Sequence, residues 1–170
     1  MSNIWHWRPM QAADLAAVQT VAAVVHRDFP EGRAVFAERL ALYPDGAFIS
    51  EGPDRIGGYL IAHPWAIGSA PALNSLLGTL PSHSDTFYIH DLALLPAARG
   101  SGAGSAIITQ IADQARARGF ATLSLIAVSG SAPFWAHHGF RDASDQLPAE
   151  KRASYGADAR YMICPLTDPD

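Results

Sequence analysis

A glycine-rich segment stands where the chain passes from an apolar run into a helical pattern. Gly100, Gly102 and Gly104 alternate behind Arg99 in the stretch LPAARGSGAGSAI. The N-terminus of a helix has free N–H groups and a positive dipole end, and it therefore attracts phosphate. Glycine lets the backbone approach a ligand because it has no Cβ. The segment is a candidate phosphate-binding loop, and a tight strand-to-helix turn without a ligand is the alternative.

Two well-known phosphate motifs do not fit this loop. A P-loop requires Gly-Lys-Ser/Thr, whereas this chain has Gly104-Ser105-Ala106. A dinucleotide fingerprint requires a third glycine at position 105 and a carboxylate about 20 residues later. Position 105 is serine, and residues 121–128 contain no carboxylate. The loop therefore matches neither a P-loop nor a dinucleotide-binding fingerprint.

A histidine in the preceding apolar run is the candidate general base. An unperturbed histidine has a pKa near ~6.5, so this residue type can accept a proton near neutral pH. This makes His90 the candidate. Side chains alternate along a strand, which gives one face with Tyr88, His90 and Leu92 and another with Phe87, Ile89 and Asp91. We therefore expect Asp91 to point away from His90 and to pair with a loop amide or an arginine. A buried, hydrogen-bonded structural histidine is the alternative for His90.

The apolar pattern predicts the elements that must position these groups. It predicts strands over 4–8, 46–50, 55–63, 86–94, 120–129 and 159–166, helices over 15–26, 30–44, 101–119 and 132–140, and a long loop over 64–85. Asp14 is the expected N-cap of the first helix. The predicted order, β-α-α-β-β-β-α-β-α-β-β, includes a seventh strand next to last, for which the pattern gives no bounds. The fold class is α/β (α+β mixed sheet), with helices on both faces, and residues 1–170 are predicted to form a single domain.

Composition restricts the function classes. The 170 residues are 49% hydrophobic and 16% charged, and a net charge of -4 argues against a nucleic-acid binder. Cys164, the single cysteine, excludes an internal disulfide and a multi-cysteine zinc site, and it fits a cytoplasmic protein. His137 and His138 are poor joint metal ligands, because neighbouring helical side chains diverge. We see no membrane-spanning run and no signal peptide. We expect no metal, no nucleic acid and no membrane partner.

Two sequence blocks resemble a known family. Arg99-x-x-Gly102-x-Gly104, with LALLP before it and an amphipathic helix after it, resembles the acyl-CoA loop of the GNAT superfamily of N-acetyltransferases. The second block is an apolar strand, LSLIAV, followed by a short linker and a helix ending in Gly-Phe, FWAHHGF. Together the blocks span about residues 86–140. The predicted order of elements fits the same family over the whole chain.

The resemblance implies acetyl-CoA as the co-substrate. The backbone of residues 100–105 would hold the pyrophosphate, and that of residues 92–94 would pair with the pantetheine arm. The strands 86–94 and 121–128 would splay apart to admit it, with the thioester near Leu94. The implied cofactor-binding residues are Leu92, Ala93, Leu94, Arg99, Gly100, Ser101, Gly102, Ala103, Gly104, Ser105 and Trp135.

The resemblance also implies catalytic roles. Family members carry His or Glu on this strand as a base, which favours His90, with Tyr88 beside it. Many members place a tyrosine acid four residues before the Gly of Gly-Phe, but this chain has Trp135, whose indole cannot titrate. Trp135 is therefore expected to pack against the cofactor at the cleft while Phe134 fills the core. Water or Tyr155 would supply the proton, and an exposed loop tyrosine is the alternative for Tyr155.

The acceptor site is the least specified part. The resemblance places it between the stretch HRDFPEGR and residues 141–159, where Asp28, Glu31, Asp142 and Asp145 are candidates for attracting an ammonium group. The function implied is an acetyl-CoA-dependent N-acetyltransferase whose acceptor is a primary amine of a small molecule or of a protein. The alternative is a non-catalytic GNAT-like acyl-CoA-binding sensor or partner module. A homodimer is left open.

Overall fold

A mixed seven-stranded sheet carries helices on both faces in the computed structural model, which describes residues 4–166. The strands are β1 His6–Pro9, β2 Ala47–Glu51, β3 Ile56–Trp65, β4 Thr86–Leu94, β5 Thr122–Ala127, β6 Arg141–Asp142 and β7 Arg160–Pro165. The helices are α1 Leu15–Val25, α2 Arg33–Leu42, α3 Ala103–Ala117, α4 Ala132–His137 and α5 Ala149–Ala153. The strand order is β1-β2-β3-β4-β5-β7-β6, and only β4 and β5 run parallel as neighbours.

The predicted fold class is confirmed, and the predicted order of elements is found with one addition. Helix α5 lies in the polar stretch between the last two strands, where no helix was expected. Asp14 occupies the predicted N-cap position of α1, but its side chain makes no capping hydrogen bond to that helix. A 3₁₀ turn over residues 12–14 precedes α1, so Asp14 lies inside that turn. Its carboxylate accepts hydrogen bonds from Arg8 and from the Gln11 N–H and does not cap α1.

The sheet separates two apolar layers. On one face, the buried side of α3, with Ile107 and Ile111, packs against Phe87 and Ile89 of β4. On the other face, α1 and α2 cover β2, β3 and part of β4, with Phe36 of α2 among the buried residues. Fully burying one such side chain contributes about 1.5–3 kcal/mol, so these layers fix the position of β4.

A β-bulge interrupts β4 at the candidate base. Ile61 of β3 lies opposite Asp91 and the next residue, Ala62, lies opposite Ile89, which leaves His90 as an extra residue. Both His90 and Asp91 therefore contact the α1–α2 side of the sheet, whereas Leu92 packs against the α3 layer. The predictions that Asp91 points away from His90, and that Leu92 shares the face of His90, are wrong. Simple alternation does not hold across an inserted residue.

Strands β4 and β5 pair over only three residues each. Phe87–Ile89 lie opposite Leu123–Leu125, and no further pairing of the two strands follows in the described structure. The β5-facing backbone edge of residues 90–94 is thus left without a strand partner, as the predicted splay requires. An extended ligand can bind such an edge as an additional strand does.

The loop predicted over residues 64–85 begins at residue 66 in the structure, because β3 continues to Trp65. Its centre is held against the connection between α1 and α2. The Asn74 N–H donates to Glu31 (2.9 Å), and the Gly78 N–H donates to Glu38 (3.1 Å). The segment therefore has defined contacts beside the sheet. Among the described residues, no helix is long and apolar enough to cross a membrane.

Candidate functional site

One cavity of about 360 Å³ extends from the opening between β4 and β5 to the connection between α1 and α2. We call its two ends the loop half and the polar half. The loop half is lined by Leu92, Leu94, Arg99, Phe134 and Trp135. The polar half is lined by His26, Glu31, Tyr88, His90, Asp91 and Tyr155, with apolar walls from Val25, Phe29 and Leu73.

The glycine loop follows Arg99, a residue that lines the loop half, and leads into α3; residues 100–105 themselves do not line the cavity. Gly100 and Gly102 have φ values of 75° and 87°, in the left-handed region that favours glycine. A Cβ built on either residue would meet no atom within 4 Å, so this side of the loop is open. The Ala103 N–H donates to Ser101 Oγ (3.3 Å), and the N-cap residue of α3 is Gly102, which has no side chain to cap the helix. Open space beside free helical N–H groups suits a phosphate.

Side-chain hydrogen bonds connect the glycine loop to the end of β4 and to α4. Arg99 Nε donates to the Leu94 carbonyl (3.1 Å), at the end of β4. The His138 ring nitrogens lie 2.9 Å from the Phe134 carbonyl (Nδ1) and 3.0 Å from Ser105 Oγ (Nε2). A carbonyl only accepts, so Nδ1 carries the hydrogen, and in the neutral ring Nε2 accepts from Ser105. These bonds position the loop against β4 and α4.

The two aromatic residues of α4 have different surroundings. Trp135 is 7% exposed and belongs to the core cluster, where its ring contacts Phe140. Phe134 is 41% exposed, and its ring lies 3.5 Å from a Cβ built on Gly104. The expectation that Phe134 fills the core is therefore wrong, whereas Trp135 lines the cavity as predicted and also packs in the core; Phe134 is the more open of the two.

A buried imidazole–carboxylate pair forms the inner part of the polar half. His90 Nε2 lies 2.8 Å from Glu31 Oε1, and the two side chains are 2% and 7% exposed. Burial raises the pKa of the Glu31 carboxyl, but the hydrogen bond and charge of His90, with the Asn74 N–H and Arg39, lower that pKa more. The other His90 nitrogen, Nδ1, is buried and has no partner within the described residues.

A second imidazole–carboxylate pair is more open. His26 Nε2 lies 2.6 Å from Asp91 Oδ1, with side-chain exposures of 20% and 12%. The Tyr59 hydroxyl donates to the second oxygen of Asp91. Burial lowers the pKa of His26, but the charge of Asp91 and the hydrogen bond to it raise that pKa more, so the imidazolium form is favoured. Glu31 adds to this effect and Arg99 opposes it.

Tyr88, predicted beside the base, and Tyr155, predicted as a proton donor, are both buried. The Tyr155 hydroxyl donates to the Pro71 carbonyl and interacts with the Tyr88 hydroxyl. Burial is the main cause that raises the pKa of Tyr155 to about 12, and burial also raises the pKa of Tyr88. The alternative of an exposed loop tyrosine is therefore wrong for Tyr155, which is 5% exposed.

Further buried polar groups lie behind His90. His63 Nδ1 is 3.0 Å from the Pro64 carbonyl, and burial lowers the pKa of His63 to about 3, so this ring is neutral. Its Nε2, together with Nε and Nη2 of Arg39, has no hydrogen-bond partner among residues 4–166. Burial is also the main cause that lowers the pKa of Arg39. Internal water is the usual partner of such groups.

The structure brings together residues that are far apart in sequence. Of the four acidic candidates for the acceptor site, Glu31 lines the cavity, whereas Asp28, Asp142 and Asp145 do not. The sequence analysis did not select His26 as a residue of the cavity, and it placed Asp91 on the wrong face of β4. The only available signal for His26 was its place at the start of HRDFPEGR. Among the described residues, no group of three or more His, Cys, Asp or Glu side chains could hold a metal ion.

Comparisons with known proteins agree with this architecture. Residues 15–140 match the sequence model of the acetyltransferase (GNAT) family. No curated protein matches the chain. Among solved structures, the GphF GNAT-like decarboxylase in complex with isobutyryl-CoA is similar with a TM-score of 0.76 at 19% identity, covering 95% of this chain and 100% of that chain.

Two further solved structures are similar along most of their length. The ribosomal-protein-S18-alanine N-acetyltransferase from Escherichia coli has a TM-score of 0.67 at 18% identity, covering 98% of this chain and 96% of that chain. A GNAT family acetyltransferase from Brucella melitensis in complex with acetyl-CoA has a TM-score of 0.61 at 17% identity, covering 99% of this chain and 92% of that chain. At these identities the similarity establishes the fold alone.

Proposed function

This chain belongs to the acetyltransferase (GNAT) family, and from that premise we propose that it transfers an acetyl group from acetyl-CoA to a primary amine of a small molecule or of a protein. The observation that carries the proposal is the continuous cavity. It extends from Arg99, the residue that directly precedes the open glycine loop, to two imidazole–carboxylate pairs. One end suits a phosphate-bearing co-substrate, and the other suits an ammonium group that must lose a proton.

The residues of the loop half fit a CoA-type co-substrate. The open side of Gly100 and Gly102 leaves room for a pyrophosphate at the N-terminus of α3. The unpaired edge of residues 92–94 can form a ladder with the amides of a pantetheine arm. When bound, acetyl-CoA supplies an acetyl group activated as a thioester. The solved relatives that hold isobutyryl-CoA or acetyl-CoA support this choice.

The polar half supplies the chemistry on the acceptor side. Glu31 and Asp91 place negative charge beside the cavity, and such charge attracts an ammonium group. A histidine of this half then accepts the proton that the amine must lose. Sequence reasoning selected His90 for that task, with Tyr88 and Tyr155 nearby. Tyr155 remains a predicted proton donor to the leaving thiolate, although its own proton is engaged with the Pro71 carbonyl.

The test is a transfer assay with a panel of acceptors. Acetyl-CoA would be incubated with primary amines, amino acids and short peptides, and released thiol would be measured together with the acetylated product by mass spectrometry. A reaction without acceptor controls for hydrolysis. We expect product from at least one class of primary amine, with one thiol released for each acetyl group transferred.

A second outcome would favour the non-catalytic alternative. If calorimetry shows that acetyl-CoA binds but no acceptor yields product, the chain is an acyl-CoA-binding module and the transferase proposal is wrong. If acetyl-CoA does not bind at all, the choice of co-substrate is wrong as well. The two experiments together separate binding from catalysis.

A further inference from the structure

The two imidazole–carboxylate pairs differ in whether the remaining ring nitrogen of the histidine is accessible from the cavity. A carboxylate accepts hydrogen bonds, so the nitrogen facing it carries the hydrogen in the neutral ring. For both His26 and His90 that nitrogen is Nε2. The lone pair that can take a proton from an acceptor is therefore on Nδ1 in both residues. The question of which histidine acts as the base becomes a question about access to Nδ1.

Access to Nδ1 distinguishes the two residues. Nδ1 of His90 is enclosed by protein and has no partner among the described residues, so a substrate nitrogen cannot reach it in this conformation. Nδ1 of His26 makes no hydrogen bond within residues 4–166, and it is not among the enclosed unpartnered nitrogens. The His26 side chain is 20% exposed and lines the cavity. A substrate in the cavity can therefore reach this nitrogen.

The surroundings of His26 are those of an oriented base. Asp91 holds the ring by Nε2, and Tyr59 donates to the other oxygen of Asp91, which fixes the carboxylate. The bulge in β4 turns Asp91 toward α1, and His26 is the C-cap residue of that helix. The negative end of a helix stabilises a protonated imidazole. Glu31 also favours the charged ring and Arg99 opposes it.

We propose that His26, oriented by Asp91, is the residue that removes the proton from the acceptor amine. The inference rests on the proposed transfer reaction. The acceptor ammonium gives one proton to Nδ1 of His26, and the freed lone pair forms the N–C bond as the C–S bond of the thioester breaks. A second nitrogen proton ends on the sulfur, and His26 releases its proton to solvent. Asp91 is a positioning residue, because it acts through His26.

His90 has a different task in this scheme. Its pair with Glu31 is buried, and the second oxygen of Glu31 accepts the Asn74 N–H at 2.9 Å. The Asn74 side chain in turn accepts the Gly32 N–H at 2.7 Å. The pair therefore joins β4, the α1–α2 connection and the 66–85 segment. His90 positions the walls of the polar half and does not exchange a proton with the acceptor.

The experiment measures kcat against pH, at saturating acetyl-CoA and amine, for the wild type and for His26→Gln, Asp91→Asn and His90→Gln. We expect His26→Gln to lower kcat by about 10²–10⁴-fold and to abolish the acidic limb of the profile. Asp91→Asn should shift that limb to lower pH, because the charge that favours the imidazolium is lost. His90→Gln should lower kcat while leaving the midpoint of the limb in place.

The outcomes separate this inference from the proposed function. A wild type that acetylates no amine overturns the transfer reaction itself. A wild type that is active, with the acidic limb kept in His26→Gln and lost in His90→Gln, overturns the role of His26. NMR titration of the imidazole signals gives an independent check without an acceptor. The His26 signal must titrate above the value of a free histidine and must move to lower pH in Asp91→Asn.

Discussion

Two histidines face the same cavity, each bonded through Nε2 to a carboxylate, yet their surroundings differ. His90 and Glu31 are 2% and 7% exposed, whereas His26 and Asp91 are 20% and 12% exposed. The buried pair anchors three segments of the chain, and the open pair keeps a ring nitrogen available to the cavity. Identical chemical groups therefore serve different purposes, and burial decides which purpose each pair can serve.

The largest difference between the pairs is expected in stability. His90→Ala leaves the Glu31 carboxylate buried without its partner, and breaking a buried pair costs about 3 kcal/mol of the free energy of unfolding. His26→Ala should cost about 1 kcal/mol, because water can reach Asp91 and Tyr59 still donates to it. Urea unfolding of both variants at pH 7 makes the comparison. Equal losses would mean that burial does not distinguish the pairs.

The pH dependence of stability extends the comparison of His26 and His90 to a third histidine, His63. Its pKa is about 3 in the folded chain and near 6.5 when unfolded, so between these values the unfolded chain binds more protons. Stability should therefore fall as pH falls, by at most about 1.4 kcal/mol per pH unit, or about 2 kcal/mol from pH 6.5 to 5. His26 affects the pH dependence in the opposite direction. Its pKa is raised in the folded chain, so the stability that it contributes is lost as pH rises through that raised pKa.

Urea unfolding between pH 5 and 6.5 tests this sign. His63→Gln should remove most of the slope in that range, and His26→Gln should make the slope steeper. His83→Gln, at an exposed position of the 66–85 segment, serves as the control for the substitution itself. A wild-type stability that does not change over this range would show that His63 is not buried in its neutral form.

A third prediction contrasts the polar half with the loop half. Gly102→Ala puts a methyl group on the open side of the loop, where the phosphate is expected, and should weaken acetyl-CoA binding by at least about 10-fold, or about 1.4 kcal/mol. Gly119→Ala is a matched control, because Gly119 has a φ of 85° against 87° for Gly102, and a Cβ there also meets no atom within 4 Å. Both variants therefore carry the same backbone strain.

Calorimetric titration of the two variants decides this contrast. The acidic limb of the kcat profile should stay in place in both, since neither position lies in the polar half. Equal affinity for acetyl-CoA in Gly102→Ala and Gly119→Ala would contradict the assignment of the loop to the pyrophosphate, whatever the loss of stability.

The smallest effect is expected from the aromatic residues of α4. Phe134→Ala should weaken acetyl-CoA binding about 3- to 5-fold, roughly 1 kcal/mol, through the loss of exposed apolar surface beside Gly104. Trp135→Phe should leave the affinity unchanged and lower stability, because most of that ring packs in the core. Affinity measurements with a thermal unfolding control separate the two. A larger loss of affinity in Trp135→Phe than in Phe134→Ala would show that Trp135 is the main aromatic contact of acetyl-CoA.

The sequence by itself determined the parts of this protein that depend on the backbone and on nearby residues. Alternating glycines between a strand and an amphipathic helix predict an open helix start, and the structure has one at Gly102. The apolar periodicity predicted β4, α3 and β5. Such signals are local, because hydrogen bonding and helical or strand periodicity act over a few residues.

Only the tertiary structure decided the polar half. A one-residue bulge in β4, produced by its register with β3, turned Asp91 toward α1 and created the pair with His26, 65 positions away in the chain. The partner of His90 lies 59 positions away, and Tyr155 is buried by contact with the 66–85 segment. Strand alternation predicts a face only while the register is regular, and burial depends on elements that no local pattern specifies.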